Sequence, residues 1–323
     1  MRKWIFFSSI LTLLSCTRDM NPHKASDANL GFYFLKDTSI TLYNLGDKSE
    51  QELAPTEKPW LSATDMAFYD FSSHCIYLKG EKNDLFPGHE DDVPGFFPSM
   101  TKPFWVMAGD VRCYLAAFHS GASSLGRYTP YFDELSLLFY PADVLPIHRS
   151  WEDIDVRHNE HFKQALQQAG LYHAGLSLVL LHIKVLTNDS IATLQYDYQL
   201  TNNDTDDLLV LDQDKMGARF HYYTNGPVLW NSHKQLRYQS EHKKVIPPEP
   251  PGSWEPDWFS TLKSGQSRTW SVALTGYDRI ESGTYEASLW FANPTQINRK
   301  DRHVSPARYW LGEINSPIIH LNL

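Results

Sequence analysis

Val179-Leu180-Leu181-His182-Ile183-Lys184-Val185-Leu186, then Asn188-Asp189-Ser190, then Thr193-Leu194-Gln195-Tyr196-Asp197-Tyr198-Gln199-Leu200: this stretch decides the fold. Val179, Leu181, Ile183 and Val185 alternate with Leu180, His182, Lys184 and Leu186, and Leu194, Tyr196, Tyr198 and Leu200 alternate with Thr193, Gln195, Asp197 and Gln199. Successive strand side chains point to opposite faces, so two runs of period two around a polar turn predict a pair of long antiparallel strands. The pattern recurs at Trp270, Val272 and Leu274 and at Tyr285, Ala287, Leu289 and Phe291, after turns centred on Ser264-Gly265 and Ser282-Gly283. No helical period follows Gly170. Residues 171–323 are therefore expected to form an antiparallel β-sandwich domain.

Working back towards the N-terminus, residues 30–170 read as a β-rich α+β domain, giving a mainly β chain overall. Leu30 to Leu35 and Ser39 to Tyr43 suggest a hairpin around Asp37, and Ser62-Ala63-Thr64-Asp65 suggests the capped start of a short helical turn. His74 to Lys79 reads as a strand. Glu81 to Lys102, with Pro87, Pro94 and Pro98, reads as a long loop. Pro103 to Ala108 and Val111 to Phe118 flank Gly109-Asp110 as a hairpin. The one clear helix is Asn159 to Gln168, with Phe162, Ala165 and Leu166 on one face and Gly170 as its stop; the domain boundary falls there.

Two resemblances bear on these halves. Tyr198-Gln199-Leu200-Thr201-Asn202-Asn203, Leu262-Lys263-Ser264-Gly265-Gln266-Ser267 and Gly283-Thr284-Tyr285 resemble the Ig-like domain of bacterial intracellular proteinase inhibitors, which implies an Ig-like sandwich and leaves activity open. Leu61-Ser62, Asp65, Tyr69, His74, Pro103-Phe104-Trp105, Tyr114, Phe118 and Ser123-Ser124 resemble a pattern of uncharacterised bacterial proteins and transfer no function.

The first residues speak to address. Arg2 and Lys3 precede the apolar run Trp4 to Leu14, which is too short to span a bilayer, and Leu13-Leu14-Ser15-Cys16 closes it. This resembles a bacterial lipoprotein signal. The resemblance implies a signal peptide over residues 1–15, lipid on Cys16, a tether over 16–29 and membrane attachment through the lipid. Two or more acyl chains make such anchoring stable. In that family an aspartate after the cysteine favours inner-membrane retention, and here the position is Thr17, so the outer membrane of a bacterial cell envelope is expected. Loss of Arg2 and Lys3 moves the formal charge from −9 to −11. That sign argues against nucleic acid as a partner, since nucleic acid is bound by concentrated positive charge.

Candidate chemistry is sparse. Cys75 and Cys113 remain for either a single disulfide or two buried thiols. His158-Asn159-Glu160-His161 has a metal-like i,i+3 spacing, but Arg157 and Lys163 beside it fit a solvated helix better, and no metal is assigned. Asn202 to Asp207 and Asp212-Gln213-Asp214 are oxygen-rich, but the second lacks the glycine and closing glutamate of a calcium loop, and a polar inter-strand turn is the better reading. Gly121-Ala122-Ser123-Ser124-Leu125-Gly126 does not match a serine-nucleophile turn. Val245 to Ser260 carries five prolines with Trp254, Trp258 and Phe259, aromatic rings that either stack on a ligand or fold back on the core.

With no convergent catalytic set, no catalytic residue and no cofactor are assigned. The leading expectation is a non-catalytic, lipid-anchored envelope module that binds an envelope protein or glycan. The alternatives are an envelope hydrolase using Asp65, Glu90 or Asp92 with His74, and a proteinase inhibitor.

Overall fold

The computed structural model describes residues 30–85, 101–119, 126–152, 154–187, 190–241, 245–250, 252–304 and 306–323. The leader, Cys16, the tether, Glu90, Asp92 and Ser123-Ser124 lie outside the described residues. The chain is mainly β, with few and short helices and sandwich-like sheets. Up to the expected boundary and just past it run β1 (Leu30–Phe34), β2 (Leu61–Ser62), β3 (Met66–Asp70), β4 (Cys75–Leu78), β5 (Pro103–Ala108), β6 (Val111–His119), β7 (Tyr131–Asp133), β8 (Val144–Pro146) and β9 (Tyr172–His173). They form two sheets, ordered β2-β1-β5-β6-β7 and β8-β4-β3-β9.

The hairpin expected between Leu30–Leu35 and Ser39–Tyr43 does not form, because β1 pairs with β2 and β5 instead. Local side chains claim the competing segment: Asp37 accepts from the Ser39 amide at 2.9 Å and Asn44 from the Thr41 amide at 2.8 Å, which folds it into turns. Asp65 likewise accepts from the Ser62 amide and hydroxyl at 2.8 and 2.6 Å, closing a tight turn between β2 and β3 rather than opening a helix. The β5–β6 hairpin forms around Gly109-Asp110, with Gly109 at φ +61°. The helix Glu160–Gln168 starts on Asn159, whose side chain accepts from the Phe162 amide at 3.1 Å, and buries Phe162, Ala165 and Leu166 in the first core.

The remaining strands are β10 (Leu176–Thr187), β11 (Ile191–Asn202), β12 (Asp207–Leu211), β13 (Val228–Asn231), β14 (Leu236–Tyr238), β15 (Phe259–Leu262), β16 (Ser267–Asp278), β17 (Thr284–Ser288), β18 (Trp290–Ala292), β19 (His303–Val304), β20 (Ala307–Tyr309), β21 (Glu313–Asn315) and β22 (Ile319–Asn322). The long strands β10-β11-β16 form one antiparallel sheet, and β15-β12-β20-β19 and β14-β13-β17-β22 form others around a second core. The pairing of β12 with β20 is parallel, an exception to the expected antiparallel pattern. Strand β10 also departs from its simple alternation. A bulge between Leu180 and His182 takes up one residue, so Leu178, Leu180 and Ile183 face the core while Val179 and Leu181 stay exposed.

One sheet serves both cores. Along β4, Cys75 and Tyr77 belong to the second core and Ile76 and Leu78 to the first, and all four are at most 1% exposed. A strand buried on both faces needs a continuous apolar run, which Cys75-Ile76-Tyr77-Leu78 supplies. The pairing β3–β9 is parallel, so residues just past position 170 complete the sheet built by the first half.

Arg308 on β20 crosses this junction. Its Nη2 donates to Asp70 at the end of β3 at 2.9 Å and to Asp204 in the β11–β12 turn at 2.6 Å, with all three side chains buried. The guanidinium lies over the rings of Phe68, at 5.0 Å, and Tyr77, at 6.0 Å. His173 Nδ1 lies 2.9 Å from Asp204. Gly175 sits at φ +65°, where a Cβ would meet Ser72 Oγ at 2.1 Å and Asp70 Oδ1 at 2.4 Å, so only glycine lets the chain pass this cluster. A second buried pair, Arg302 bidentate on Asp143 at 3.0 and 2.7 Å, also lies over the Tyr77 ring, at 5.0 Å.

Removing one partner of a buried ion pair strands the other charge, at a cost of about 3–5 kcal/mol. Arg308→Met should therefore lower unfolding free energy by about that amount in urea denaturation, and a loss below about 1 kcal/mol would contradict the role given to Arg308. Burial works to raise the Asp204 pKa, but the hydrogen bond from His173 and the charge of Arg308 prevail and hold it below the usual carboxylate range. A carboxyl depressed on folding adds stability above its unfolded pKa and loses it as pH falls towards the folded value. Acid titration of the unfolding free energy should fall below about pH 4, and Asp204→Asn should flatten that fall.

Candidate functional site

The candidate site begins where β3 turns into β4. Asp70 Oδ1 accepts from the amides of Ser72 and Ser73 at 3.1 and 3.2 Å and from the Ser72 hydroxyl at 2.6 Å, a tight side-chain turn that brings His74 back beneath the sheet. His74 takes a left-handed backbone at φ +53° and is 1% exposed. Its Nδ1 lies 2.8 Å from the Tyr69 hydroxyl, while its Nε2 is buried without a partner. Burial, reinforced by the charges of Arg157 and His158, holds this imidazole well below its ordinary pKa and so neutral.

Opposite it stands the 3-10 turn Val156–His158, opened by Asp155, whose side chain accepts from the Arg157 amide. Arg157 grips that carboxylate with Nε at 2.9 Å and Nη2 at 2.7 Å. Burial opposes ionisation of Asp155, but the hydrogen bonds from Arg157 and His158 outweigh it and depress the pKa. His158 lies edge-on to His74 with ring centroids 4.8 Å apart, and its Nδ1 is 3.5 Å from Asp155 Oδ2.

A cleft of about 490 Å³ runs past Asp155, Arg157 and His158. Ser72, Ser73, His148, Arg149, Asp155, Arg157 and His158 line it together with Leu176 to Val179 of β10 and Glu313 to Pro317. His148 stacks on Tyr131 at 5.3 Å; burial lowers its pKa against the pull of Glu313 and Asp133. Asn315 of β21 also borders a second, larger cleft of about 760 Å³. Trp230, Trp290, Arg237, Gln239, Ser240, Ser288 and Asn225 line that one. Both indoles are partly exposed there, and Trp290 Nε1 donates to Glu313 at 3.0 Å.

The residues singled out in the sequence fall elsewhere. Cys75 and Cys113 are free thiols, so the disulfide is not formed: Cys75 packs into the second core and Cys113 against the first. Burial pushes the Cys75 thiol up to about 12 and the Cys113 thiol up to about 11, which leaves both protonated and unreactive at neutral pH. Trp258 and Phe259 are core residues, and Trp254 packs on Tyr309 at 5.2 Å while donating to the Gln296 carbonyl at 3.3 Å. The proline-rich stretch therefore does not hold these three rings out as a stacking surface; the second core takes them. Asp65 serves its turn with Ser62. His161 is exposed on the helix, whereas His158 turns towards His74, so the i,i+3 histidines part company at the junction of 3-10 turn and helix. Asp204 is engaged by Arg308 and His173, and Asp212 by Arg268 at 2.7 Å, Trp270 at 3.1 Å and Ser260.

Sequence pattern misses Asp155, His148, Arg149, Trp230 and Trp290. It does single out His74, but the partners of that residue stand more than eighty positions on, and no local spacing connects them. Neither a protein-family model nor a curated protein matches the chain.

Proposed function

We propose that this chain is a lipid-anchored module of a bacterial cell envelope that binds glycan in the cleft between Trp230 and Trp290. The observation that carries the reading is the makeup of that cleft: two partly exposed indoles among Arg237, Gln239, Ser240 and Asn315. A sugar ring presents an apolar C–H face and a rim of hydroxyls. Indole faces suit the former, and amide, hydroxyl and guanidinium groups suit the latter. The indoles stand on strands of two different sheets, β13 and β18, each paired to neighbours, so they are held in place before a ligand arrives.

The anchor rests on Arg2, Lys3, the apolar run and Leu13-Leu14-Ser15-Cys16. Residues 16–29 then set the distance between the lipid and the acidic chain, and Thr17 favours the outer membrane. The Ig-like character of the second half rests on the resemblance of its turns and supplies the scaffold, since sandwiches commonly carry binding surfaces on fixed strands.

Affinity measured by calorimetry against a panel of envelope oligosaccharides should identify a binder. Trp290→Ala and Trp230→Ala should each weaken it about tenfold or more, equal to about 1.4 kcal/mol, with circular dichroism unchanged. Binding that survives both substitutions would exclude this cleft. Separately, Cys16→Ser should abolish fatty-acid labelling and release the protein from the membrane fraction; retention of both would refute the anchor.

A further inference from the structure

We infer that His74, Asp155 and His158 form a binding site for one divalent transition-metal ion of the zinc class, with an open coordination position facing the cleft beside Arg149. A ring nitrogen of each histidine and a carboxylate oxygen of Asp155 already lie within 4.8 Å of one another. Imidazole and carboxylate are the donors such an ion takes, and three protein donors leave a place for water or a ligand group. The inference is independent of the glycan reading, because it concerns a different cleft.

The unpartnered His74 Nε2 points to the ion. A buried polar atom without a partner is costly, and among the described residues nothing meets this one. Its ring is already oriented, because the Tyr69 hydroxyl lies 2.8 Å from Nδ1; when that hydroxyl accepts from Nδ1–H, Nε2 keeps its lone pair for an ion. Asp155 is equally fixed, since Oδ1 accepts from both the amide and Nε of Arg157, while Oδ2 accepts from Nη2 and keeps a lone pair for an ion. His158 is the exposed member, with its side chain 57% accessible, so it is the donor with room to adjust to a bound ion.

The other histidine–carboxylate group, His173 with Asp204 and Asp206, has a similar donor set and does not carry the same inference. Arg308 already supplies its positive charge, from within the cluster, at 2.6 Å from Asp204. At the His74 site Arg157 likewise pairs with Asp155, at 2.7 Å, and what separates the two groups is the buried, unpartnered Nε2 of His74, which has no counterpart at His173 among the described residues. With Arg149 and Arg157 both lining the cleft, the open position favours an anionic ligand group.

The test is titration of the metal-stripped full chain in detergent with Zn2+, and with Co2+, whose visible spectrum reports nitrogen and oxygen donors. One equivalent should bind. His158→Ala, at the exposed position, should lower Zn2+ affinity about a hundredfold, and Tyr69→Phe about tenfold through the outer hydrogen bond, while His161→Ala should leave it unchanged. Failure of the full chain to bind Zn2+, or an affinity unaltered by His158→Ala, would overturn the inference. Should His74→Gln fail to fold, the His158 variant decides alone. A loss on His161→Ala equal to that on His158→Ala would place the ion on the helix instead and would also overturn it.

Discussion

A guanidinium shut away from water between two carboxylates constrains this molecule more than any other interaction. Arg308 comes from β20, near the end of the chain, Asp70 from β3 in the first half and Asp204 from a turn of the second. None of the three tolerates its position alone, because an isolated ion in an apolar interior is expensive. The requirement that they meet fixes the end of β3 in the β8-β4-β3-β9 sheet against β20 of the β15-β12-β20-β19 sheet. The guanidinium lies over Phe68, which stacks on Tyr77 at 4.0 Å, and Arg302, held by Asp143, lies over Tyr77 as well.

That junction explains why the turn after β3 is so tightly specified. Asp70 has two duties: one oxygen orders the Ser72-Ser73 turn and the other receives Arg308. The ordered turn then sets His74 in its left-handed conformation, facing the 3-10 turn that carries Asp155 and His158. The buried ion pair and the open cleft are consecutive consequences of one short connection. Trp310, two positions after Arg308, donates to Ser72 at 3.0 Å and ties the same turn to the second core.

Much of the fold is readable from pattern. Period-two runs mark β11, β16 and β17, the Gly109-Asp110 pair marks the β5–β6 hairpin, and Asn159 with Gly170 bounds the helix. Pattern fails where a side chain competes with the backbone, as Asp37 and Asn44 do before β2, and where an extra residue enters a ladder, as at Leu181. A bulge changes which face each later residue occupies, yet leaves the composition of the strand unaltered. The aromatic cluster Trp254, Trp258 and Phe259 stands out in the sequence for its rings, but large apolar surface goes to the core when a core is within reach.

By itself the sequence determined that the chain is mainly β and where its long strands run. Those properties are local: they depend on the alternation of neighbours and on turn residues. Tertiary structure decided what those strands bring together. His74 meets Asp155 and His158, Trp230 meets Trp290 across a cleft, and Arg308 meets Asp70 from a distance of more than two hundred positions. Such meetings leave no spacing in the chain, because the physical cause is the burial of charge and ring surface between sheets, and that exists only once the sheets have packed.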